Sequence, residues 1–346
     1  DEIEVRAVLG RALLMAVALG TLLILLQWPI RLIAFLLLDG TDAVEILASD
    51  YFRIRIWGAP ATLTNFALMG LLIGLGLGKS VLLVQLFLNG LNILLDVWFA
   101  AVLKLGVAGI ALGTVVAEWL TVALAGYLIF RKLQQNKIPN ESFWPKARVL
   151  DKPMLMKTLS ANADIMIRTL LLVFSFAFFV NQSARFGDVL LAANHILLQL
   201  ISFAAFFLDG YAFVVEAITG TAIGAGQLVR FDLAVRRTST LALVTAIGLA
   251  ILTWVWGHLA VGLLTDITEV RSAAADMLFF AALYIACSFA AFQLDGVFIG
   301  ASFTREMRNA ATLSLLVFLL VWWLLERALG INGLWWAMII YVIARA

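Results

Sequence analysis

The chain has 346 residues, of which 64% are apolar and only 13% are charged, and its formal net charge is +2. Soluble domains are about 45–50% apolar and about 25% charged, so this composition excludes a soluble fold and predicts a polytopic membrane protein. No basic tract is interleaved with aromatic residues, so the sequence predicts no nucleic-acid partner. The single cysteine, Cys287, excludes an intrachain disulfide and a cysteine-based metal cluster.

Ten segments are apolar over roughly the length of about 20 residues that a helix needs to cross a bilayer. In chain order they cover 10–38, 51–77, 80–103, 107–130, 154–181, 188–224, 237–264, 272–300, 309–328 and 331–346. The sequence therefore predicts an all-α fold with about ten membrane spans. Pro60 lies inside the second span, where it removes a backbone hydrogen bond and predicts a kink.

One long polar connector divides the chain. It covers 131–152 (RKLQQNKIPNESFWPKARVLDK) and carries six basic residues, so the positive-inside rule places it in the cytoplasm. We expect an N-terminal lobe at 1–130, this inter-lobe loop at 131–152, and a C-terminal lobe at 153–346.

Two short motifs recur at nearly one spacing. LMGLLIG (68–74) matches LDGVFIG (294–300), and GVAGIALG (106–113) resembles GINGLWWA (330–337), at offsets of 226 and 224 residues. Such a repeat predicts two bundles of six helices, related by a pseudo-two-fold axis along the membrane normal, which is typical of transporters. The N-terminal bundle has four spans here, so we expect its first two helices to be absent from this chain.

Polar residues interrupt the third span, in NGLNILLDVWF. Asn89, Asn92 and Asp96 are spaced to lie on one helical stripe, which must face protein or a water-filled cavity because lipid offers no hydrogen-bond partners. A carboxylate with amide neighbours can exchange protons near neutral pH or supply oxygen ligands to Na⁺. We expect Thr114, in the next span, to donate its hydroxyl to Asp96. The alternative is a structural hydrogen-bond clamp between helices.

The C-terminal half also places ionisable residues inside its spans, at a cost of about 2.5–3.5 kcal/mol each on insertion scales. Asp164 and Arg168 are four residues apart, and an ion pair within the helix is the favoured interpretation, with a part in a C-lobe cavity as the alternative. The other candidates for such a cavity are Asp209, Glu216, Asp295 and His195. A hydrogen-bonded structural role is the alternative for the three acids, and a satisfied core histidine is the favoured interpretation of His195.

Several stretches together resemble the DinF-like branch of the MATE (multidrug and toxic compound extrusion) family. They are YFRIRIWGAPATL, NILLDVWF, GVAGIALGTVVAE, DIMIRTLLL, LDGYAFVVEA and LDGVFIGA followed by EMRNA. The resemblance covers essentially the whole chain and corresponds to spans three to twelve of that family. It implies two lobes that alternate between outward and inward access, in the cytoplasmic (inner) membrane of a bacterium.

The resemblance also implies a function and a site. Members export small lipophilic, often cationic drugs in exchange for H⁺ or Na⁺, and we expect H⁺ here, with no cofactor, contact with membrane lipids and a monomeric state. Asn92 and Asp96 resemble the family's fifth-span Asn-x-x-x-Asp pattern, and Thr114 resembles a hydroxyl residue on its sixth span. Asn89 joins them as a candidate coupling residue. The family's first-span Asp has no counterpart, because we expect that span to be absent.

Two other classes of protein, a lipid flippase and an intramembrane enzyme, are alternatives to an exporter. A flippase for lipids or lipid-linked precursors, from the same superfamily, would need a strongly cationic cavity, and Arg168 is the one arginine that the sequence places clearly inside a span. An intramembrane enzyme has little support, because the sequence contains no His-Glu-x-x-His or Gly-x-Ser-x-Gly motif and only two histidines. We therefore expect a transporter and no enzyme, with no metal site.

Overall fold

A computed structural model describes residues 2–37, 42–135 and 144–346. These residues are almost entirely helical and contain no β-strand, so the predicted all-α class is confirmed. The chain divides into two compact units, Asp1–Met156 and Lys157–Ala346. The predicted lobe boundaries, at 130 and 153, stay a prediction.

In its described residues, the first unit contains six longer helices and one short one. They are α1 (Glu2–Leu25), α2 (Gln27–Leu37), α3 (Asp42–Arg55), α4 (Ala59–Gly74), α5 (Gly78–Asp96), α6 (Gly106–Gln135) and α7 (Lys146–Val149). A 3-10 turn at Ile56–Gly58 separates α3 from α4, and a π-helical turn at Val97–Val102 follows α5.

Long helices make up the second unit, which begins within the first of them. They are α8 (Lys152–Ala184), α9 (Asp188–Gly224), α10 (Leu228–Leu264), α11 (Thr268–Gly300), α12 (Thr304–Leu329) and α13 (Ile331–Ala344).

Nine helical stretches in the described ranges are long and apolar enough to cross a membrane. They correspond to the first nine predicted spans. The tenth, 331–346, is the 14-residue helix α13, which is shorter than the about 20 residues that a bilayer core requires. The first span also differs from the prediction: α1 begins at Glu2 and ends at Leu25, because Pro29 has no N–H to donate to the carbonyl of Leu25.

The α-helix is broken next to Pro60, where the sequence predicts a kink. The 3-10 turn Ile56–Gly58 interrupts the span there, and Pro60 occupies the second position of α4, where a helix needs no N–H donor. Gly20 of α1 packs on this break. A Cβ atom at Gly20 would meet the backbone nitrogen of Pro60 at 2.7 Å, so only glycine allows α1 to come this close.

Two arginines of α1 are buried in the first unit. Arg6 donates to the carbonyl oxygen of Leu133 at 3.1 Å. Arg11 donates to the carbonyl oxygen of Arg148 at 2.8 Å and to the carboxylate of Glu4. These bonds connect the beginning of α1 to the end of α6 and to α7.

The core of the second unit contains residues from all six of its helices, with large aromatic side chains from α8, α12 and α13 among them. Phe179, Phe318, Trp335 and Tyr341 are completely buried. The rings of Phe179 and Trp335 meet edge to face with centroids 4.9 Å apart, and those of Phe318 and Tyr341 are 5.5 Å apart. Such pairs stabilise beyond the area that they bury.

One polar network crosses this core. The amide of Asn194 donates to the hydroxyl of Ser183 at 2.9 Å and accepts from the indole Nε1 of Trp335 at 3.0 Å, and all three side chains are buried. The adjacent His195 is exposed instead. The interpretation of His195 as a core histidine is therefore wrong, because α9 turns Asn194, and not His195, toward α8 and α13.

We expect Asn194→Ala to lower the free energy of unfolding by about 1–3 kcal/mol, because the indole N–H of Trp335 would lose its acceptor inside the core. The thermal unfolding midpoint in detergent measures this loss. His195→Ala, one residue along, is the control and should leave the midpoint unchanged. Equal shifts for the two variants would contradict the assignment.

Candidate functional site

Three of the four predicted coupling residues come together where α5 ends beside α6. The side-chain nitrogen of Asn92 lies 3.3 Å from Asp96 Oδ1 and 3.0 Å from Thr114 Oγ1. All three side chains are half-buried. The cluster therefore joins residues that are 22 positions apart, and it centres on one amide group.

The orientation of that amide follows from the hydroxyl beside it. Thr114 donates its one hydroxyl proton to the carbonyl oxygen of Ile110 at 3.0 Å, so its oxygen can only accept from Asn92. The NH₂ group of Asn92 then faces both Thr114 and Asp96. The expected donation from Thr114 to Asp96 is wrong, because the hydroxyl proton is already used within α6.

Asn89 does not join the cluster. Its side chain is exposed, and its amide donates to the carbonyl oxygen of Gln85, one turn back on the same helix, at 3.0 Å. The stripe predicted for α5 therefore divides, with Asn92 and Asp96 in the cluster and Asn89 outside it.

Two glycines of α6 allow the close approach to α5. A Cβ atom at Gly113 would clash with Asp96 Oδ1 and would lie 3.0 Å from the backbone nitrogen of Asp96. A Cβ atom at Gly109 would lie 2.7 Å from the carbonyl carbon of Phe99. The carboxylate of Asp96 therefore lies directly against the backbone of α6 at Gly113.

A π-helical turn begins immediately after Asp96 and covers Val97–Val102. The backbone N–H of Leu103 bonds the carbonyl of Trp98, five residues back, at 2.9 Å. Such turns are rare and occur frequently at functional sites. Nothing in the residue pattern predicts this turn, because Val, Trp, Phe and Ala are equally compatible with an ordinary apolar helix.

An ion pair lies one helical turn beyond the cluster on α6. Arg55 of α3 binds both carboxylate oxygens of Glu118, at 2.6 and 2.9 Å. Asn65 of α4 donates to the backbone carbonyl of Glu118 at 3.0 Å. A bidentate pair of this kind fixes both partners, so α6 is held against α3 and α4 next to Thr114.

In the second unit, Asp164 and Arg168 do not pair with each other. Arg308 of α12 donates to Asp164 Oδ1 at 2.6 Å, and Thr304 lies 3.4 Å from Asp164 Oδ2. Arg168 instead donates to Asp295 of α11. The predicted ion pair within α8 is therefore wrong, because partners on other helices offer each group a direct bond.

Asp295 accepts from two arginines at one oxygen atom. Arg168 and Arg345 both donate to its Oδ2, the latter at 2.6 Å. All three side chains are less than one-fifth exposed. Arg345 was absent from the residues singled out by sequence, because it lies at the edge of the last predicted span, 331–346, and had no periodic pattern to mark it.

A pocket of about 450 Å³ lies beside this cluster, with Arg168, Asp209, Asp295 and Arg345 in its lining. Three of the six residues proposed for a C-lobe cavity therefore share one pocket. The other three, Asp164, Glu216 and His195, are not part of its lining. Among the residues that the structure covers, no three His, Cys, Asp or Glu side chains converge in a way that could hold a metal ion.

The family model described as MatE matches residues 2–98 and 165–324, most of the chain. The chain belongs to the MATE family. The predicted family is therefore confirmed. As a MATE protein with nine candidate spans in its described ranges, it is a multi-pass membrane protein that fits the inner membrane of a bacterium.

Two curated MATE relatives are bacterial. The chain is 34% identical to DNA damage-inducible protein F of Escherichia coli over 97% of its own length and 72% of that protein. It is 27% identical to the probable multidrug resistance protein NorM of Pseudomonas putida, over 90% of the chain and 72% of that protein.

Solved MATE structures share the fold. A mutant of the Vibrio cholerae MATE transporter VcmN superposes with a TM-score of 0.85, at 19% identity, over 99% of this chain and 81% of that one. The likeness confirms the predicted helical architecture of a MATE transporter.

We expect Gly113→Ala to lower the free energy of unfolding by about 1–3 kcal/mol, because the added methyl group meets Asp96 where the two helices touch. Gly126→Ala, on the same helix with open space around the position, should be neutral or stabilising by up to about 1 kcal/mol. Thermal unfolding in detergent measures both variants. A destabilisation of the same size at both positions would show that helix packing at Gly113 is not tight.

Proposed function

We propose that the protein is a secondary active exporter that moves small lipophilic or cationic compounds across the membrane in exchange for H⁺. The observation that carries this proposal is the cluster of Asn92, Asp96 and Thr114 at the contact of α5 and α6. The printed name of the Pseudomonas putida relative, a probable multidrug resistance protein, supports the substrate class.

Asp96 has the environment of a group that changes its protonation. It lies in a membrane span and forms no ion pair with any residue in the described ranges; its bond from Asn92 is made by a neutral amide. A charge in such a place is costly, and protonation removes that cost without breaking an ion pair. Glu118, which is paired with Arg55 nearby, would lose its ion pair if it were protonated.

The donor pattern favours H⁺ over Na⁺. Sodium needs several oxygen ligands, and the amide of Asn92 presents its NH₂ group, not its oxygen, to the carboxylate. Thr114 uses its oxygen to accept from that same amide. A proton on Asp96 requires no rearrangement of either side chain, whereas a Na⁺ ion would require Asn92 to turn over.

Protonation of Asp96 supplies a mechanism for coupling. The neutral acid no longer attracts the amide of Asn92 as a carboxylate does, so a charge-assisted bond within α5 is weakened at the residue that also bonds Thr114 of α6. The π-helical turn directly after Asp96 gives α5 a place to change its twist. Protonated and deprotonated states of the first unit would then favour different access states, and substrate would leave as one replaces the other.

The charges of the second unit support export over lipid flipping. A flippase for anionic lipid precursors would need a strongly cationic cavity. The pocket at Asp295 has two arginines and two aspartates in its lining, so its formal charges balance.

We expect Asp96→Asn to abolish transport driven by a pH gradient, because the asparagine cannot exchange a proton. The measurement uses the full-length protein in proteoliposomes, with rhodamine 123 as a fluorescent lipophilic cation and with pH and Na⁺ gradients imposed separately. Movement in the variant should fall to the level of protein-free vesicles.

Asn89→Ala is the matched control, because Asn89 lies on the same helix but bonds only its own backbone. It should transport like the unchanged protein. Movement driven by Na⁺ alone would overturn the choice of ion. Movement driven by pH that survives Asp96→Asn would overturn the coupling site, and movement under neither gradient would overturn exchange of this dye for H⁺ or Na⁺.

A further inference from the structure

The part of the chain that joins the two units is held by α1 at two places. Arg6 donates to the carbonyl oxygen of Leu133, in the last turn of α6, at 3.1 Å. Arg11 donates to the carbonyl oxygen of Arg148, in α7, at 2.8 Å. The two arginines of α1 are only 4% and 3% exposed, so both bonds are made by buried guanidinium groups.

Packing also holds α7 on α1. A Cβ atom at Gly10 would lie 2.7 Å from a γ carbon of Val149 and 3.5 Å from the ring of Trp144, so a larger residue would push α7 away. Glu4 forms an ion pair with Arg148, with its carboxylate 3.8 Å from the guanidinium. A buried hydrogen bond, a close apolar contact and an ion pair therefore act together at this contact.

The link from α7 to the second unit is short. Two residues, Leu150 and Asp151, separate the end of α7 from the beginning of α8. The backbone N–H of Leu150 bonds the carbonyl of Lys146 in α7 at 3.0 Å, whereas the carbonyl of Asp151 accepts from Leu155 in α8 at 2.9 Å. Each linking residue thus belongs to one helix by its hydrogen bonds, and the chain can change direction between them.

The helix α8 continues from this link into the second unit without a break. The border between the units falls at Met156 and Lys157, inside α8. Pro153 is the second residue of α8, where a helix needs no N–H donor, so it does not interrupt the helix. Two extended residues span at most about 7 Å, so the beginning of α8 stays close to α7 when the second unit moves.

We propose that α7 is a fixed anchor on α1 and that α8 pivots between Leu150 and Asp151 when the second unit changes its access state. The inference rests on the proposed export function and adds the point about which its movement takes place. The alternative is that α7 leaves α1 in every transport cycle.

The burial of Arg11 favours an anchor over release. Release would separate its guanidinium from the carbonyl oxygen of Arg148, and a buried donor that loses its acceptor is costly, more so when it is charged. It would also break the contact of Gly10 with Val149. A pivot between Leu150 and Asp151 breaks none of these bonds.

A reversible disulfide distinguishes the two cases. A Cβ atom at residue 10 would lie 2.7 and 3.4 Å from the two γ carbons of Val149, so Gly10→Cys with Val149→Cys places two thiols within bonding reach. Cys287→Ser removes the single cysteine of the chain. Proteoliposomes of the full-length protein then take up rhodamine 123 under a pH gradient, before and after reduction with dithiothreitol. Maleimide labelling shows whether the disulfide has formed.

We expect the cross-linked protein to transport at the rate of its reduced form, because an anchor does not move during the cycle. Val149→Cys alone cannot bond α1, so it is the matched control for the oxidant and should be unaffected. Loss of transport on oxidation that dithiothreitol restores would overturn the proposal, because α7 would then have to leave α1. Failure of the disulfide to form would overturn the contact of α7 with Gly10.

Distance measurements make the test independent of dye transport. Spin labels at Leu22 of α1 and Ala147 of α7 should keep one separation at low and at neutral pH in pulsed EPR. Labels at Ala147 and at Phe174 of α8 should change theirs. A change between α1 and α7 would overturn the anchor, and an unchanged distance to α8 would overturn the pivot. If both distances behave as expected but no dye moves, the proposed export function fails and the anchor stands.

Discussion

The pairing of charges within an apolar medium is the constraint on which the rest of the structure depends. Lipid supplies neither water nor counter-ions, so a charged side chain in a span needs a partner from the protein. Within the described ranges the chain provides such partners from other helices, in Arg55–Glu118, Asp164–Arg308 and Arg168–Asp295–Arg345. Each of these contacts also fixes one helix against another. The contacts that pair charges here are therefore also contacts that pack one helix against another.

The same constraint separates the remaining acids. In the part of the chain that the structure covers, Asp96, Asp209 and Glu216 form no direct ion pair with an arginine or lysine. Removing one member of a buried pair leaves an uncompensated charge, so the paired acids are needed for the stability of the fold. An acid without such a partner can take a proton or meet a ligand without that loss. The distinction is between charges that hold helices together and charges that remain available for function.

The sequence predicted those parts of the fold and site that depend on local spacing. Asn92 and Asp96 are one helical turn apart, so their spacing predicted that they lie together. Thr114 faces them because a short connection joins two adjacent helices, so its place in the cluster could also be predicted. The pairing of Asp164 was not, because its partner lies 144 positions away and local spacing pointed to Arg168. The sequence also could not predict that Asn194 is buried and that its neighbour His195 is exposed, since only packing decides which of two adjacent residues faces the core.

The π-helical turn at Val97–Val102 has a geometric consequence for the helix that contains it. A turn closed by bonds to the fifth residue back is wider than an α-turn, and here it forms the last turn of the helix, because the chain leaves helical geometry after Val102. Asp96, just before this turn, and the backbone of Phe99, within it, both lie against α6, at Gly113 and Gly109. The end of the helix therefore meets α6 main chain to main chain, with no side chain of α6 between them at these two positions.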